Sequence, residues 1–263
     1  MVFQGQIRKM ISENGDPIQY YLNFSEDFLS MNQLINRTIQ ISFDHYECLG
    51  CQQDIEIYRM GYCRNCFFTL PQTNESIIRP ELSTAHLGIE KRDLKWEQTF
   101  ELQPHVVYLS NTSGAKVGVT RATQLPTRWI DQGATEAMII ARTDNRYQAG
   151  MIEVALKEHL TDKTNYQRML KNIQVDVDLH KILQNVREFI SEEQQRFLVD
   201  DQEIYFFNYP VTEYPTKIKV INLSKEPSFE GKLLGIKGQY LIFDDNRVLN
   251  VRNHEGFYLQ FLV

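Results

Sequence analysis

A chain of 263 residues, 42% hydrophobic and 24% charged, has the composition of an ordinary folded protein and the length for roughly two or three domains. Its net charge of −6 argues against a wholesale nucleic-acid coat, which needs clustered Lys and Arg. The opening MVFQGQIRKM lacks the apolar run of a signal peptide, and no stretch of about 18 uncharged apolar residues occurs, so a cytoplasmic protein is expected.

In chain order, residues 1–45 read as an N-terminal β unit. IQYYLNF and TIQISFDHY alternate as strands do, on either side of the polar SEDFLSMNQLIN. Residues 46–103 hold the four cysteines and then FFTLPQTNESIIRPELSTAHLG, whose Pro, Ser, Thr and Asn punctuation reads as an irregular connector packed on the cysteine knuckle. Residues 104–172 read as a β-β-α-β-α unit. HVVYLSN and AKVGVTR are strands joined by NTSGA, and LPTRWIDQGA is a short helix with Pro126 in its first turn and Gly133 at its C-terminal cap. TEAMIIART is a third strand. QAGMIEVALKEHL is an amphipathic helix with Met151, Ala155 and Leu156 near one face and Glu153 four residues before Lys157.

Residues 173–263 begin with one long helical pattern, DVDLHKILQNVREFISEEQQRFL, in which Leu179, Ile182, Leu183, Val186, Phe189 and Ile190 recur at helical spacing. Strands follow in EIYFFNYPV, TKIKVINL, GKLLGIKGQYLIFDD and RVLNVRN, and predict a small β-barrel or sheet; Gly235 and Gly238 read as strand and turn glycines. The fold class expected is a multi-domain α+β protein.

Cys48, Cys51, Cys63 and Cys66 are spaced C-x2-C, eleven residues, C-x2-C. In a reducing compartment two close pairs suit a metal better than two disulfides. Each pair offers two thiolates at one turn, so the set predicts one structural zinc site, a treble-clef or ribbon-like knuckle. Four sulfur ligands leave no position for water. An iron–sulfur cluster or a redox pair is the remaining alternative, and His45 is surplus. No P-loop or GxGxxG fingerprint occurs.

Val106-Val107-Tyr108, then Lys116-Val117-Gly118 and Thr120, then Arg128, Glu153 and Asn165 follow one another in an order that resembles the GIY-YIG nuclease superfamily, in its divergent branch with a Lys-Val/Ile-Gly second motif. The likeness covers about a quarter of the chain. Val106 stands where the family has glycine, and Lys116 where it has its second tyrosine. The whole chain also resembles a family of uncharacterised conserved bacterial proteins with an N-terminal four-cysteine knuckle. The resemblance implies a zinc-containing, nucleic-acid-binding, Mg2+- or Mn2+-dependent endonuclease, a phosphodiesterase with Tyr108, Lys116, Arg128 and Glu153 as catalytic residues. Glu153 would hold the divalent ion, Arg128 would neutralise the phosphate, and Tyr108 with Lys116 would assist the nucleophile. The alternative expectation is a non-catalytic interaction module for nucleic acid or protein, with a degenerate nuclease fold. In that reading Tyr108 is a strand aromatic, Glu153–Lys157 a solvated helix pair and Gly118 a close-approach position.

Overall fold

The computed structural model describes residues 1–24, 28–160, 165–173, 175–200 and 202–263. Residues 25–27 of the polar N-terminal stretch, and 161–164 near the end of the expected middle unit, lie outside the described residues.

Phe257, Leu259 and Phe261 are buried while the residues between them face outward, the alternation of an antiparallel strand with one wet face. That strand, Phe257–Leu262, lies between Val2–Gln6 and Thr38–Tyr46. Thr38–Tyr46 pairs in turn with Ser228–Lys237, and the sheet continues through Tyr240–Phe243 and Arg247–Asn250 to the short parallel edge Lys219–Val220. The first and last segments of the chain thus build one seven-stranded sheet rather than separate β units. Of the barrel or sheet expected, it is the sheet that forms: among the described residues it ends on two edges, Val2–Gln6 and Lys219–Val220, rather than closing on itself. A three-stranded sheet, Ile11–Glu13, Gln19–Asn23 and Phe28–Ser30, adds Tyr20 and Leu22 to the same core.

The middle of the chain is a four-stranded antiparallel sheet in the order Ile204–Phe206, Glu136–Thr143, His105–Asn111, Ala115–Arg121. Thr127–Asp131 is a short helix, and Gly133 follows it with φ +74°, the left-handed conformation of a C-terminal cap. All seven residues of His105–Asn111 are buried, because both faces of this strand are covered. Val107 and Leu109 pack with Ala149, Ile152 and Leu156 of the helix Arg146–Lys157. Val106 and Tyr108 face the large core shared with the terminal sheet. The buried face of the helix therefore differs from the expected one: Met151 is exposed, and Gly150 sits against the backbone of Pro80 and Glu81.

Two further expectations are corrected. The long C-terminal helix is three pieces, Leu179–Val186, a 3-10 turn Arg187–Phe189 and Glu192–Gln195. Ser191 and Gln194 form a capping box that starts the last piece afresh. The connector packs on the helix Arg146–Lys157 as well as on the knuckle and ends in a helix, Leu94–Glu101. That helix escapes a periodicity reading because its most buried side chains are Glu97 and Glu101. Glu97 accepts from Asn74 Nδ2 and the backbone N–H groups of Lys91, Arg92 and Asp93, and Glu101 accepts from the Ser76 and Ser83 hydroxyls.

Candidate functional site

The chain leaves Thr38–Tyr46 and enters the cysteine segment. Cys48 and Cys51 lie on a tight turn, and a hairpin, Ile57–Arg59 with Tyr62–Cys63, carries Cys63. Cys66 is on the helix Arg64–Thr69. The hairpin turn is Met60-Gly61, with φ +55° and +80°; two positive φ values are what a two-residue type I′ turn demands. Turn, hairpin and helix thus follow one another along the chain, each bearing cysteine.

The four sulfurs lie within 4.8 Å of one another, and those of Cys51 and Cys63 are 4.0 Å apart. Zinc–thiolate bonds of about 2.3 Å in a tetrahedron imply sulfur separations of about 3.8 Å, so the set is closed to nearly that geometry. Burial opposes ionisation of Cys48, but the N–H groups of Cys63, Cys51 and Gly50 aim at its sulfur and bring its pKa down to about 6. Burial, then the neighbouring thiols, pushes Cys66 up to about 12. One thiol is preset to ionise while another resists it, a set that reaches full ionisation with a cation at its centre. The four thiols suit a structural zinc ion.

A cleft of about 430 Å³ opens beside this module. Met60, at the tip of the cysteine-bearing hairpin, is part of its wall. Ile77, Ile78, Pro80 and Phe100 of the connector form another wall, and Lys9 and Arg252 reach in from the termini. Lys116, Gly118, Arg128 and Glu153 all line it. Tyr108 does not: it is fully buried beneath the floor, opposite Gly118 in the strand pairing. A Cβ on Gly118 would stand 2.6 Å from both Cζ and Oη of Tyr108, so the glycine is the space the tyrosine ring occupies. The Tyr108 hydroxyl donates to Gln132 Oε1 at 2.9 Å, and its ring meets Trp129 edge-on at 5.9 Å. Burial holds its pKa above the usual range. It therefore packs under the cleft, its hydroxyl reaching Gln132 of the lining. Asn165 is also away from the cleft: its side chain caps the helix Tyr166–Leu170.

Six of the lining side chains are Lys or Arg and two are carboxylates, which makes the cleft cationic on a protein of net charge −6. Asp131 is already engaged by Lys9 Nζ at 2.7 Å and Gln239 Nε2 at 2.8 Å. Glu153 is therefore the carboxylate left to the cleft. Burial raises its pKa; Lys157, Arg146 and Arg128 oppose this and Glu81 adds to it. Arg146 is buried and donates to the carbonyls of Ser76 and Ile77 at 2.8 and 2.7 Å. Burial lowers its pKa to about 10. Arg121 and Arg146 sit over the Phe100 ring at 4.4 and 5.8 Å. The buried Nε of Arg128 has no hydrogen-bond partner.

Phe100, Arg146, Lys9 and Arg252 are cleft residues that sequence reasoning missed. Arg146 carried a faint signal, since a cation in the first turn of a helix opposes the helix dipole and needs another reason to be there.

A family model described as a protein of unknown function, DUF2797, matches residues 36–259. The chain belongs to this family. The DUF2797 region takes in the four cysteines, the strand and helices that carry Lys116, Arg128 and Glu153, and most of the terminal sheet; Lys9 lies before it. No curated protein and no solved structure matches the chain. Among the described residues no helix is long and apolar enough to cross a membrane.

Proposed function

We propose that this DUF2797 protein carries a structural zinc ion on its four cysteines and binds the phosphodiester backbone of a nucleic acid in the cationic cleft, cutting it with a divalent ion held at Glu153. The observation that carries the reading is the meeting of Lys116, Arg128 and Glu153 in one cleft, over a floor made by Gly118 on Tyr108.

Arg128, Arg121 and Lys116 supply positive charge for phosphate oxygens, and an arginine fork suits two of them at once. Glu153 supplies the hard oxygen ligand that Mg2+ or Mn2+ prefers, and the ion would polarise the scissile phosphate and lower the pKa of a bound water. Arg146, fixed by two carbonyls, keeps the connector wall in place beside that phosphate. The zinc module contributes the wall at Met60.

The second reading, binding without cleavage, is favoured by one observation: a single carboxylate is left to the cleft, and Tyr108 is sealed from it. Incubation of the purified protein with Mg2+ or Mn2+ and single-stranded, duplex and branched DNA or RNA separates the readings. Cleavage that Glu153→Gln abolishes while binding survives supports the enzyme. Salt-dependent binding without turnover, with a salt slope reduced by about 1 in Arg128→Ala, supports the binder. Absence of any nucleic-acid binding sinks both.

A further inference from the structure

A second cavity, of about 830 Å³, is lined by Asn111 and Glu136 of the four-stranded sheet, by Asn172 and Asp176, and by the last residue of the strand Ser228–Lys237. That residue, Lys237, is 1% exposed. Its Nζ donates to Asn172 Oδ1 at 2.9 Å, and the rings of Tyr209 and Tyr214 each lie 5.4 Å away. An ammonium has three N–H donors, and one is spent on Asn172. Burial brings its pKa down to about 8, with no carboxylate acting against it.

A buried cation without a counter-ion is expensive in a low-dielectric interior, and such groups are ordinarily paired. Here the missing partner has a place to come from, because the cavity's volume lies within the range of about 300–1,000 Å³ usual for small-molecule sites. The walls are partly aromatic, through Phe206 and Phe207. Carboxylates line the same cavity: Glu136, and the exposed Asp16 and Asp176. A buried cation and exposed carboxylates in one polar lining with aromatic members complement a molecule that carries both a negative and a positive group.

We propose that this cavity binds a zwitterionic small molecule of the free amino-acid class, its carboxylate seated on Lys237 and its ammonium turned toward Asp16 and Asp176. The site is separate from the cationic cleft and does not depend on how that cleft is used.

The test is a thermal-shift and calorimetric titration of the full chain with each L-amino acid at millimolar concentration, repeated with the amide and N-acetyl forms of any that bind. At least one free amino acid should bind saturably. Its amide, which lacks the carboxylate, and its N-acetyl form, which lacks the ammonium, should each bind about 10- to 100-fold more weakly. Lys237→Met should lose the response while unfolding at the same or a higher temperature than the parent, since it removes the unpaired charge. If that variant does not fold, Asp176→Asn, at an exposed position of the lining, serves in its place and should weaken binding several-fold. Failure of every free amino acid to bind, equal binding of amide and acid, or an undiminished response in Lys237→Met overturns the proposal.

Discussion

Gly150→Ala puts a methyl group where the helix Arg146–Lys157 meets the connector. In an isolated helix interior the change would stabilise by about 1 kcal/mol, and a buried methyl adds about 0.8 kcal/mol of transfer. Here the new Cβ would stand 2.6 Å from the Pro80 carbonyl carbon and 2.8 Å from Pro80 Cβ, and would meet the Glu81 nitrogen as well. These are backbone atoms and a proline ring, which cannot swing aside as a flexible side chain does. Overpacking ordinarily costs about 1–3 kcal/mol and occasionally more; contacts this short to backbone and a proline ring put the cost at about 3–4 kcal/mol, so that, after the gain of about 2 kcal/mol, the net result is a loss of about 1–2 kcal/mol. For a chain of this size that lowers Tm by roughly 2–8 °C. Urea unfolding with an unchanged m-value and a lower midpoint reads it directly. Met151→Ala, one residue on and exposed, should stay within about 0.5 kcal/mol of the parent. Because Pro80 is part of the cleft wall, Gly150→Ala should also weaken whatever the cleft binds. A Gly150→Ala protein as stable as the parent, or more so, would refute the close-packing argument.

Two further outcomes can be measured. Metal analysis should find one zinc per chain. Its removal by a chelator should lower Tm and expose four reactive thiols, and cobalt in its place should give the absorption of a tetrahedral thiolate site; a metal-free chain of unchanged stability contradicts the assignment. His105, fully buried with Nδ1 at 2.7 Å from the Gln103 carbonyl, has its pKa lowered to about 4 by burial, with Arg146 and Arg121 adding to the shift and the carbonyl opposing it. The unfolded chain therefore binds more protons between about pH 6.5 and pH 4, so stability should fall as pH drops through that window, by up to about 3 kcal/mol. His105→Asn should flatten that limb of the stability–pH curve; an unchanged limb would assign it to other groups.

The cysteine cluster was legible because its information is local: two C-x2-C turns and a Met60-Gly61 turn bring the sulfurs together within 19 residues of chain. The strands around His105 and Ala115 were legible for the same reason, since a short turn fixes their register. The order Lys116, Arg128, Glu153 could be read from the sequence, but the floor beneath them could not. Tyr108 looks like any strand tyrosine, and only the pairing with Gly118 shows that it fills the glycine's space. The remaining walls of the cleft come from Lys9, Phe100 and Arg252, which no local pattern connects. Lys237 was equally hidden, being a lysine at a strand end before a glycine turn, whose burial depends on Tyr209 and Tyr214 arriving from another segment.

The strand Thr38–Tyr46 finds its partners at Ser228–Lys237 and Phe257–Leu262, and Val2–Gln6 pairs with the latter alone. During synthesis these early strands emerge with their apolar faces and edges unmatched, and the sheet cannot close until residues 257–262 have been made. The core of Val107, Leu109, Met138, Ile152 and Leu183 draws its partners from within the middle of the chain and has no such wait. Short-range contacts form quickly and long-range strand pairing slowly, so the middle unit is the piece that folds first. The outer sheet then closes around it, and the early strands are the segment of this chain most in need of protection from aggregation until it does.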